Sequence, residues 1–140
     1  MIGILIITHE TVGEAYRGLA QHFFPGEPPK NIRILGVEHT EDHDDVIARA
    51  QTVIDEIDSG NGVLVLTDIF GATPCNAARK LVIEGKVAII TGINAPMMIK
   101  ATQYCTQQTD LVAFTETVKT AAINGIFAIT TPPEGVCAPC

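Results

Sequence analysis

Basic residues are scarce in this chain: nine Lys and Arg stand against sixteen Asp and Glu, a net charge of −7. The isoelectric point is about 4.9. No cluster of Lys or Arg offers a stripe that could track phosphates, which argues against nucleic acid as a partner. Serine is scarcer still. Ser59 is the only one, and its place at the end of a predicted helix excludes a serine triad. No apolar stretch approaches the ~20 residues of a membrane-crossing helix. The opening run, residues 1–7, has neither a basic leader nor a cleavage site. A cytoplasmic protein without direct membrane insertion is expected. In that setting Cys75, Cys105, Cys137 and Cys140 read as thiols rather than disulfides. Cys137 and Cys140 have CxxC spacing, but no helix follows them and no second ligand pair is present. They read as two thiols on a Pro-rich tail.

What the chain has is short β-branched runs alternating with helical patterns. Its 140 residues, 46% hydrophobic, suit one domain with a real core. We expect that domain over residues 1–130 and a tail over 131–140. Residues 2–8, 32–37, 63–67 and 87–91 are continuous apolar runs, as strands buried on both faces require. Helical patterns fill 11–24, 44–59, 74–84, 97–107 and 111–124. Thr11 and Glu14 have the spacing of a capping box for the first helix, and Gly60-Asn61-Gly62 reads as the stop of the second. A last apolar run, 126–130, precedes the tail. The alternation predicts an α/β fold with a mainly parallel sheet and helices on both faces. In a flavodoxin-like order, 2-1-3-4, the order reverses between the first and third strands, and ligands bind at that edge.

The first strand leads directly into His9, and the third into Asp68, so these two should face each other across the crevice. A neutral imidazole attacks through one nitrogen only. A carboxylate that accepts the proton of the other nitrogen fixes the tautomer. After Asp68, Gly71 allows a tight turn, and Thr73 followed by Pro74 reads as an N-cap and first helical residue. Free N–H groups at Gly71, Ala72 and Thr73 would make an anion site. Phosphoryl transfer asks the protein mainly for positioning and charge stabilisation, and His9 fits the role of acceptor.

Three stretches, GILIITH (3–9), VLTDIFGATPCNAA (65–78) and TGINAPM (91–97), resemble the mannose-type enzyme IIA domain of the bacterial phosphoenolpyruvate-dependent sugar phosphotransferase system. The resemblance covers roughly residues 1–130. It implies a phosphotransferase component whose phosphohistidine is His9, oriented by Asp68, with Thr73 as the hydroxyl of the phosphate-binding turn and no cofactor. It implies a histidine-containing phosphocarrier protein as donor and an enzyme IIB component as acceptor, serving carbohydrate uptake. It also implies a homodimer that exchanges the C-terminal strand, here 126–130. Glu10 departs from the small glycine common in the family, and we read it as a cap of the first helix. The chain ends without a fused second domain, so phosphate is expected to pass to a separate partner. The alternative is a regulatory phosphoprotein whose His9 state is the signal.

Other residues have plainer readings. His39-Thr40-Glu41-Asp42-His43 mimics a ligand spacing but lacks the Glu position of a zinc-protease helix, and no metal site is expected. His22 reads as partly packed beside Phe23 and Phe24, and Met97-Met98 as core or interface. Cys75 at a helix start invites a Cys-His-Asp hydrolase reading; a small residue packed behind the turn is preferred.

Overall fold

A computed structural model describes residues 1–27, 29–69 and 72–133. Four parallel strands, β1 (Gly3–His9), β2 (Ile32–Val37), β3 (Val63–Thr67) and β4 (Val87–Ile90), lie in the order β2-β1-β3-β4. Helices α1 (Glu10–Phe23), α2 (His43–Ile57), α3 (Thr73–Arg79), α4 (Ala95–Tyr104) and α5 (Leu111–Asn124) follow them, with a short 3₁₀ turn at Cys105–Gln107. The expected strand order and the alternation of strands with helices are present, whereas 126–130, among the described residues, form no strand within the chain. Among the described residues no helix is long and apolar enough to cross a membrane.

The strands are apolar without alternation because both sheet faces are covered. Ile4, Ile6, Leu64 and Leu66 pack with Met98, Ala101, Phe114 and Val118 of α4 and α5. Leu5, Ile7, Val63 and Val65 pack on the other face with Val46, Ala50 and Ile54 of α2 and Ala77 and Ala78 of α3. Met97 and Met98 are both buried in the first of these clusters, so they are core.

Several boundaries differ from expectation. The Thr11 capping box does not form. Helix α1 starts at Glu10, with His9 as its N-cap and no side-chain cap bond. The strand thus passes straight into the helix. Helix α2 stops at Ile57, before the glycines, because Asp58 Oδ1 accepts the N–H groups of Gly60 and Gly62 at 2.9 and 3.1 Å. Gly62 itself has φ +89, and a Cβ there would lie 2.7 Å from the Lys86 carbonyl oxygen, so it brings two strand starts together as only glycine can. Helix α3 ends at Arg79 rather than near residue 84. The β-branched pair Val82-Ile83 leaves the helix, and Ile83 forms an antiparallel bridge with Val87. His22 is exposed rather than packed, with a T-shaped ring contact to Phe23. Among the described residues, 126–130 pair with no strand of their own chain. Gly71 and the Cys137/Cys140 tail lie outside the described residues.

Candidate functional site

The register between β1 and β3 decides the geometry. Ile7 is level with Thr67 in the parallel pairing, so His9 and Asp68 emerge at the same carboxyl edge from neighbouring strands. They meet there. His9 Nδ1 lies 2.7 Å from Asp68 Oδ2, and the same oxygen accepts the His9 backbone N–H at 3.0 Å. Oδ1 accepts the Ile69 N–H at 2.8 Å. The carboxylate is therefore held by three donors and cannot swing away from the ring.

Burial of Asp68 works to raise its pKa, but the hydrogen bonds from the His9 ring and from the backbone N–H groups of His9 and Ile69 outweigh it. The carboxyl is held below its ordinary range and stays ionised. An ionised Asp68 can only accept, so Nδ1 carries the proton and Nε2 presents its lone pair. The Asp68 side chain is 7% exposed and that of His9 39%. A shielded carboxylate and an open ring are what an oriented nucleophile needs.

Around His9 the chain forms a depression of about 310 Å³ lined by Glu10, Thr11, Val37, Glu38 and His39. Glu10 is exposed in the first turn of α1, where a carboxylate complements the helix dipole. On the other side, Ile69 is 60% exposed beside Asp68.

The expected phosphate-binding turn is described in part. Ala72, rather than Thr73, is the N-cap of α3, and Thr73 is its first residue. The shift by one is tolerated because Pro74 in the first turn lacks only an N–H that the helix does not use. Thr73 is exposed and Ala72 half-buried. Cys75 is fully buried, 0% exposed, so its thiol has no route to a substrate, and the hydrolase reading loses its nucleophile.

Two features escaped the sequence reading. The loop after β4 is fastened to the site, with Gly92 N–H donating to the Asp68 carbonyl and Ile93 N–H to the Thr67 carbonyl, both at 2.9 Å. Tyr16 on α1 donates its hydroxyl to the Ile93 carbonyl at 3.3 Å. The available signal was its place seven residues after His9, two turns along the same helix face.

Known proteins resemble this chain in sequence and in fold. Residues 3–119 match the family model of the PTS system fructose IIA component. The mannose-specific EIIAB component of Escherichia coli is 29% identical over 100 residues, covering 71% of this chain and 30% of that protein. The chain thus spans about a third of the length of that curated relative. Among solved structures, a IIA protein associated with the fucose utilization operon of Streptococcus pneumoniae is 28% identical with TM-score 0.72, covering 90% of this chain and 91% of that one. Component EIIA of Streptococcus agalactiae shares the fold at TM-score 0.79 and 22% identity, covering 91% and 97%. With the family model matched over most of its length and the His9–Asp68 pair at the sheet edge, the chain belongs to the IIA component family of the sugar phosphotransferase system.

Proposed function

We propose that this protein is a phosphoryl carrier in which His9 Nε2 takes a phosphoryl group from the histidine-containing phosphocarrier protein and passes it to an enzyme IIB component. The observation that carries the proposal is the 2.7 Å contact between His9 Nδ1 and Asp68 Oδ2 beneath an exposed ring. In the transfer, the Nε2 lone pair attacks phosphorus as the bond to the donor's nitrogen breaks. Nδ1 keeps its proton, and Asp68 balances the positive charge the ring acquires. Thr73, exposed at the start of α3, supplies a hydroxyl to the phosphoryl oxygens, and the backbone N–H groups of Ala72 and Gly71 are the further donors we assign to them. A pathway of this kind places the protein in the cytoplasm.

The same reading includes a homodimer. Strand β4 is an edge of the sheet, and Ile126, Phe127 and Ile129 are 71, 81 and 83% exposed just beyond α5. An apolar segment beside the part of that edge left beyond the Ile83–Val87 bridge is a pairing site, and residues 126–130 of a second copy would complete both.

The test is incubation with phosphoenolpyruvate, enzyme I and the phosphocarrier, followed by mapping of acid-labile phosphate. Label is expected on His9 and absent from His9→Ala. Label that persists in His9→Ala, on His22, His39 or His43, would overturn the assignment.

A further inference from the structure

We infer that Tyr16 is a positioning residue: by holding the loop bonded to Asp68, its hydroxyl fixes that carboxylate against the His9 ring. Asp68 follows the last residue of β3, so its main chain is no longer held by strand pairing. The bonds from Gly92 to the Asp68 carbonyl and from Ile93 to the Thr67 carbonyl take over that task. The loop that makes them is anchored at its far end by Asn94, which accepts the Met97 N–H at 2.9 Å and donates to the Ala122 carbonyl at 3.0 Å. On the near side its anchor is the Tyr16 hydroxyl on the Ile93 carbonyl.

The contacts close a circuit. It runs from the His9 ring to Asp68, through the 92–93 loop to Tyr16, and back along α1 to His9, the N-cap of that helix. Helix and loop are thereby held at a fixed distance across the crevice, and the Nδ1–Oδ2 contact spans it. The Tyr16 ring packs at the margin of the core formed by β1, α4 and α5, so the phenol has little freedom to swing away. Burial, and secondarily the charge of Asp68, raise its pKa, which keeps it a neutral donor. Without the hydroxyl, the Ile93 carbonyl loses its tie to α1, the loop loosens, and the carboxylate holds the Nδ1–H tautomer less firmly.

The test is Tyr16→Phe, which keeps the ring and removes one oxygen. The ring tautomer of His9 is read from ¹⁵N spectra of the unphosphorylated protein at neutral pH. Wild type is expected as the Nδ1–H form and Tyr16→Phe as a mixture with Nε2–H. Asn94→Ala, which frees the same loop from its other anchor, should move the spectrum in the same direction. The kinetic consequence rests on the phosphotransfer reading. Phosphorylation at saturating phosphocarrier should slow about three- to tenfold, as the loss of one neutral hydrogen bond implies, with KM for the phosphocarrier unchanged. Ring spectra identical to wild type in both variants would overturn the inference. A shifted tautomer in a protein that takes no phosphoryl group, wild type included, would uphold Tyr16 and overturn phosphotransfer instead.

Discussion

At the scale of single residues, Asp68 does two things that can be separated. It selects the His9 tautomer, and it stores stability as an ionised group. Asp68→Asn keeps the shape, but an amide can turn its NH₂ towards Nδ1 and favour the wrong tautomer. We expect phosphorylation to slow by roughly 10²- to 10⁴-fold, the scale of losing an orienting carboxylate beside a histidine. The stability effect has a definite sign. The folded-state pKa is depressed by the His9 ring and backbone donors despite the opposing burial, so the unfolded chain binds the proton more readily. The contribution is complete well above the ordinary aspartate value of about 3.9, and it fades as pH falls through the lower folded value. Denaturant midpoints measured from pH 7 downward should therefore fall in wild type across that acid range. Asp68→Asn should start lower at pH 7 and lose less on acidification. Parallel curves for the two proteins would count against an ionised, bonded Asp68.

At the scale of elements, the junction between β1 and α1 sets the position of His9. Its tightness depends on small residues beneath the helix. Gly13, buried on α1, would place a Cβ 2.9 Å from Thr8 Oγ1 and 3.2 Å from Ile34 Cγ2. Replacing a helical glycine by alanine stabilises by roughly 0.5–1 kcal/mol through backbone entropy alone. Overpacking against a fully buried β-branched residue costs about 1–3 kcal/mol, and Thr8 is 0% exposed. The clash wins. Gly13→Ala should lower stability by about 1–2 kcal/mol in chemical denaturation, and a stabilised protein would show that α1 is free to lift. The same junction explains what was legible in the sequence. Apolar runs and helical spacing were enough for the four strands; the meeting of His9 with Asp68 followed once a flavodoxin-like order was taken, because parallel strands share one carboxyl edge. The Thr11 capping box failed because the strand hands over to the helix without a turn, leaving His9 itself as the cap. The tie from Tyr16 to Ile93 spans 77 positions, and no local pattern encodes which side chain will reach a loop that far away.

At the scale of the whole molecule, the unmatched feature is the apolar segment after α5. Ile126, Phe127 and Ile129 are 71, 81 and 83% exposed, and they follow a helix whose inner face is well packed. Beside them runs a groove of about 520 Å³ along β4 and α5, with Ile89, Met97, Ala122 and Ile123 among its lining. Burying one large apolar side chain contributes about 1.5–3 kcal/mol. Three such side chains from each of two copies give roughly 9–18 kcal/mol on the same scale, against an association cost of about 4–15 kcal/mol. Backbone pairing along β4 adds to the favourable side. The balance reaches the roughly 8 kcal/mol of a micromolar dimer only if most of these side chains are covered. Phe127→Asp places a charge where the segment needs apolar contact, at a side chain that is 81% exposed in the single chain. Sedimentation velocity should show a dimer for wild type at micromolar concentration and a monomer for Phe127→Asp. The wild-type melting temperature should also rise with protein concentration, as linkage to association requires, while that of the variant should not. Because His9 and Asp68 belong to one chain, the monomeric variant should still accept phosphate. A wild-type protein that sediments as a monomer, with a melting temperature independent of concentration, would remove the exchanged strand from this molecule and leave its His9 chemistry standing.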